Sequence, residues 1–143
     1  MLTYLLLNLF ALLGVVFAAW KGRDAERAAA AVVVLNLVIG IATDQLAPDS
    51  AGVVRLVNDG VAALALLAIT LRFSALWMGG VMLFYAAQFS MHAYYMVTER
   101  PSDYLHALLN NIDFAGIVWC LIIGAAMAWR QRVVAERQAA ATL

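Results

Sequence analysis

Cysteine, proline and charge are all scarce in this chain. Cysteine occurs once, at Cys120, so no intrachain disulfide can form and no CxxC metal or redox motif exists. Proline occurs twice, at Pro48 and Pro101, and no Pro/Gly-rich stretch reads as a linker to a second domain. Charged residues are 13% of the sequence, against about 25% in soluble domains. Hydrophobic residues make up 66%, more than a water-soluble fold of 143 residues could hide, so lipid must solvate much of it. Nine basic residues balance nine acidic ones, which leaves no global field to draw in nucleic acid.

What the chain has instead is apolar runs of membrane length. A spanning helix needs about 20 mostly apolar residues. Residues 2–20 are uncharged and form the first run. Val16-Phe17-Ala18 loosely fits a signal-cleavage site, but no basic segment precedes the apolar stretch, so a retained helix is expected. Residues 28–47, 51–71, 75–98 and 103–131 give four more runs. Pro48, the turn Arg72-Phe73-Ser74 and the break Pro101-Ser102-Asp103 separate the later ones. Asp49 or Ser50, Ser74 and Asp103 are the expected caps of the third, fourth and fifth helices. Arg132 and Glu136 have i,i+4 spacing for an ion pair on the tail. No run alternates like a barrel strand, and helices satisfy their own backbone in lipid. The expected fold is all-α: a single domain, residues 1–143, forming an integral membrane up-and-down bundle of five transmembrane helices.

Charge orients the bundle. Short cytoplasmic loops are rich in Lys and Arg. Lys21, Arg23, Arg27, Arg72, Arg130, Arg132 and Arg137 fall on one side, and only Arg55 and Arg100 on the other. The N-terminus is therefore expected outside and the C-terminus in the cytoplasm, in a bacterial inner membrane. Trp20, Trp77 and Trp129 sort to the inner helix ends, and Tyr4, Tyr94, Tyr95 and Tyr104 to the outer ends, as interface residues do.

With that orientation, polar residues collect at the outer end. Asp44, Asp49, Asp59, Glu99, Asp103 and Asp113 lie there, with Asn8, Thr43, Asn58, Gln88, Asn110, Asn111, His92 and His106. Helical spacing puts Asn36, Gly40, Thr43 and Asp44 on one face. It does the same for Tyr85, Gln88, His92, Tyr95 and Glu99, and for His106, Asn110, Asp113, Gly116, Cys120 and Gly124. Such faces should turn inward, because polar groups are costly in lipid, and the small residues should allow close helix contact. A water-accessible pocket open to the outer side is expected. Its candidate ligand- or ion-binding residues are Asp59, Gln88, His92, Asp113, Asp44, Asn58 and Asn110.

Each member also has a plainer role. Asp59 could pair with Arg55 one turn earlier, Asp113 could favour a helix N-terminus, and His106 is expected in a loop. The convergence favours binding or permeation of a small polar ligand, ion or proton, with several copies needed for a pore. The alternative is a non-catalytic partner: an accessory subunit of a membrane complex, or a holin-like permeabilising protein. Catalysis ranks below both, since no HExxH or similar motif is present. No cofactor is expected. A divalent metal would fall to His92, His106 and Asp113. Haem lacks a second histidine expected at the depth of His92.

The basic first loop, Asn58-Asp59 in the third run and Gln88-x-x-x-His92 in the fourth form a recurring layout. It resembles small uncharacterised five-helix bacterial membrane proteins, some carried in prophages. That resemblance implies a phage-linked role and no particular activity. The expected partners are the lipid bilayer and a homo-oligomer or larger membrane complex.

Overall fold

Each apolar run becomes one α-helix. The computed structural model describes residues 2–46 and 50–141, with side chains for all of these except residues 2–4 and Asp44. The helices are α1 (Leu2–Lys21), α2 (Asp24–Leu46), α3 (Ala51–Phe73), α4 (Leu76–Val97) and α5 (Tyr104–Ala141), with no strand among the described residues. Three segments are long and apolar enough to cross a membrane: Asp24–Thr43, Ala51–Phe73 and Tyr104–Ala141. Leu5–Lys21 is apolar but shorter. The expected stop at Pro48 and cap at Asp49 lie outside the described residues, as do the side chains of Tyr4 and Asp44.

Sequential helices pack side by side, and α5 closes the ring against α1 while also touching α2. Trp77, Gly80 and Phe84 of α4 meet Gly124, Cys120 and Gly116 of α5 in reverse order, so these two helices are antiparallel. Phe10 meets Trp119 and Phe17 meets Trp129 in the same order, so α1 and α5 are parallel. Leu66, Met78, Val81, Tyr85, Ile117 and Leu121 fill the centre. Leu64, Leu83, Trp119 and Ile123 face outward, an apolar exterior that lipid solvates at little cost.

The polar run expected to be the first loop is instead used to end one helix and start the next. Only Gly22 and Arg23 separate α1 from α2. The Gly22 N–H donates to the Ala18 carbonyl at 2.8 Å, Arg27 Nε to the Ala19 carbonyl at 3.1 Å, and the Arg132 guanidinium to the Lys21 carbonyl. These donors satisfy the last carbonyls of α1 and bring positive charge to its negative end. Arg132 is thus engaged with α1 rather than with Glu136. Glu26 accepts the Arg23 N–H at 2.8 Å, the acid half of a capping box, which is why α2 starts at Asp24 and not at 28. A Cβ on Gly22 would lie 2.2 Å from the Ala18 carbonyl oxygen, so the turn requires glycine.

Two other boundaries differ from expectation. Ser74 ends α3 rather than capping α4. It adopts a left-handed φ of 49° and donates its N–H to the Thr70 carbonyl, and Ala75 takes the N-cap position of α4. A two-residue connection needs such a residue to reverse the chain. Helix α5 runs past 131 to Ala141, because its Ala-rich tail favours helix. Its 38 residues extend about 57 Å, well beyond the roughly 30 Å of a hydrocarbon core.

Candidate functional site

Asp59 is the hub of the polar cluster. It sits in the third turn of α3 and is buried. Asn36 of α2 donates Nδ2 to its Oδ1 at 3.0 Å, and Nδ1 of His92 on α4 lies 2.6 Å from its Oδ2. Asn58 returns the link to α2, donating Nδ2 to the Asn36 backbone carbonyl at 2.9 Å. Three helices are therefore tied together around one acid.

A second group joins α4 to α5. Gln88 Nε2 donates to Asn110 Oδ1 at 3.1 Å, while Gln88 Oε1 is buried and has no partner among the described residues. The His92 and His106 rings lie tilted at 38° with centroids 5.2 Å apart, and Tyr95 meets His106 edge-on at 4.6 Å. The Tyr95 hydroxyl donates to Asp103 Oδ1 at 2.7 Å, and the same oxygen accepts the His106 N–H at 2.9 Å. Those two bonds, the backbone one foremost, hold the Asp103 carboxyl below its ordinary range. Asp103 so caps α5 at its third residue, which draws His106 into the helix and buries it, against the expectation of a loop. The second histidine beside His92, expected to be missing, is His106.

These groups border a cavity of about 440 Å³. Of the expected site residues, Asp59, Gln88, His92, Asn58 and Asn110 line it, and so does His106. Asp113 is buried on α5 but is not part of that lining, and the side chain of Asp44 lies outside the described residues. Glu99 is not on the α4 face. It follows the helix with a left-handed φ of 53° and is exposed. Among the described residues no three His, Cys, Asp or Glu side chains converge on a point that could hold a metal ion.

Sequence reasoning left some of the wall out. Gln45 and Ser102 line the cavity near the ends of α2 and α5, and Arg55 lines it too. The sequence offers Arg55 as a partner for Asp59 one turn away. Its spacing from Asn58 and Asp59 on α3, three and four residues, was the available signal. The small residues divide. Gly80, Gly116 and Gly124 sit where a Cβ would strike Cys120, Phe84 and Trp77 at 2.4–2.7 Å, whereas Gly40 meets nothing within 4 Å and borders the cavity.

The fold and site define a class: an all-helical bundle with membrane-length apolar helices and a buried polar centre. No protein-family model, no curated protein and no solved structure matches the chain.

Proposed function

We propose that this chain is a five-span protein of a bacterial inner membrane, N-terminus outside, that binds or passes a small polar solute. The solute enters a cavity open to the outer side. The observation that carries this reading is the buried Asp59–His92 pair in the wall of a 440 Å³ cavity. Ionisable residues inside a membrane bundle are expensive and usually mark a ligand or ion pathway. A purely structural bundle would be served by apolar packing there, which is often as stable as a buried ion pair. The orientation is supported by Lys21, Arg27 and Arg132 gathering at one end of the bundle, where Lys21 also lies 4.0 Å over the Trp20 ring. The polar cavity lies toward the other end, near Gln45 and Ser102.

The test is a comparison of wild type with Asp59→Asn and Asn110→Leu in proteoliposomes and in detergent. Both variants should insert and fold, yet change solute binding or flux. Normal binding and flux in both would exclude the cavity as the site. A loss of folded protein in both, with no solute-dependent effect in wild type, would make the cluster structural.

A further inference from the structure

We infer that the solute is an uncharged polyhydroxyl compound of about hexose size, gripped by amide side chains rather than by the buried acid. This rests on the proposed function above and names its ligand class.

The first argument is space and charge. A cavity of about 440 Å³ is far larger than the ~30 Å³ share of one water, and lies in the range of small-molecule sites. A bare metal cation needs several ligand atoms closing to about 2–2.6 Å, and among the described residues no three His, Cys, Asp or Glu side chains converge to supply them. Arg55 and Asp59 both border the space, so their charges oppose each other there. Asp59 is also committed within the protein, one oxygen to Asn36 and the other to His92.

The second argument is the wall's chemistry. Asn8, Asn36, Asn58, Gln88, Asn110 and Asn111 all border the cavity. Each amide sets a carbonyl acceptor beside an NH2 donor; the bonds from Asn36 to Asp59, Asn58 to the Asn36 carbonyl and Gln88 to Asn110 use one hydrogen of each donating NH2 and leave the second. A pair of neighbouring hydroxyls both gives and takes hydrogen bonds, and so matches that pattern. An ion of either sign uses only half of it. Phe114 supplies a ring against which the C–H face of a sugar can pack.

The third argument is the orphaned acceptor. Gln88 is 7% exposed, and its Oε1 has no partner among the described residues while Nε2 is held by Asn110. A buried carbonyl left without a donor is unfavourable; less than 1 Å² of Oε1 is accessible, so a ligand hydroxyl reaches it once the Gln88 side chain turns toward the cavity.

The experiment uses the purified full chain in a detergent without a sugar headgroup. Saturation-transfer NMR is recorded with D-glucose, myo-inositol and tetramethylammonium, and the sodium resonance line width is followed separately. Wild type should transfer saturation to glucose or inositol. Binding should weaken about tenfold or more in Gln88→Leu, as loss of one hydrogen bond implies. Asn111→Leu, at a half-buried position, provides a second variant should Gln88→Leu fail to fold. Tetramethylammonium or sodium binding without sugar binding would overturn the ligand class and leave the proposed function standing. Sugar binding unchanged in both variants would move it away from this cavity and overturn the inference. No binding of any probe would overturn the inference and count against the proposed function as well.

Discussion

Asp59 is held inside the bundle by partners on two other helices. Asn36 and His92 each take one oxygen, and Asn58 fixes the helix that carries Asn36. Removing one partner of such a buried pair is costly, about 3–5 kcal/mol, because the other is left uncompensated. Removing both together costs less than the sum. His92→Ala should therefore lower stability by several times more than Asp59→Asn, which keeps an acceptor for the His92 ring. The double variant should recover part of the His92→Ala loss. Denaturation in detergent, read as a double-mutant cycle, checks this. Additive losses would mean that the 2.6 Å contact contributes no coupling. Gln88 and His92 were legible as inward-facing from helical spacing, and Asp59 as an acid within the third apolar run. The partners were not, because spacing fixes a face but not the depth at which two helices meet. Asn36 was seen on a face of α2, yet its bond to Asp59 depends on the register of α2 against α3.

At the level of elements, the α4–α5 seam is built from glycines under aromatic rings. A Cβ on Gly116 would lie 2.4–2.6 Å from three carbons of the Phe84 ring, which cannot bend aside as a flexible chain would. Gly116→Ala should destabilise by about 1–3 kcal/mol, the usual cost of overpacking. Phe84→Leu in the same chain should relieve part of it. Gly40→Ala meets nothing and should be neutral or stabilising by up to about 1 kcal/mol through helix propensity. Melting temperatures of the three variants measure the contrast, and equal effects of the two glycines would refute the seam. The start of α5 gives a pH dependence. Asp103 is held below its ordinary carboxylate value by the His106 N–H and the Tyr95 hydroxyl, with Arg100 3.6 Å away. A carboxyl lowered on folding stabilises fully above its ordinary pKa of about 4, and that stabilisation fades as pH falls through the lowered folded value. Wild type should thus lose melting temperature in that acidic window more steeply than Asp103→Asn, which can still cap but does not titrate. Parallel curves would remove Asp103 from the acid response. The cap was legible in Pro101-Ser102-Asp103. The bond to Tyr95 was not, since it crosses from the end of α4.

For the whole molecule, the five apolar runs follow from composition, but their ends do not. Arg27 and Arg132 read as loop and tail charges, and in the fold they close the carbonyl end of α1. Charge counting assigns them a side of the membrane; only the fold shows that α5 must run beside α1 for Arg132 to reach it. The same arrangement makes the proposed topology testable as a unit. With α1 and α5 parallel, the tail of α5 and the α1–α2 turn share one end, while Ser102 and the cavity lie toward the other. In the proposed orientation a green fluorescent protein fused after residue 141 should fluoresce, and alkaline phosphatase fused there should be inactive. A phosphatase fusion truncated within residues 98–103 should be active. Substituting Lys21, Arg23 and Arg27 together by neutral residues should weaken this bias, since positive charges near helix ends set orientation. The reverse pattern in the unsubstituted fusions would turn the cavity toward the cytoplasm, and its solute would then have to be sought among intracellular compounds.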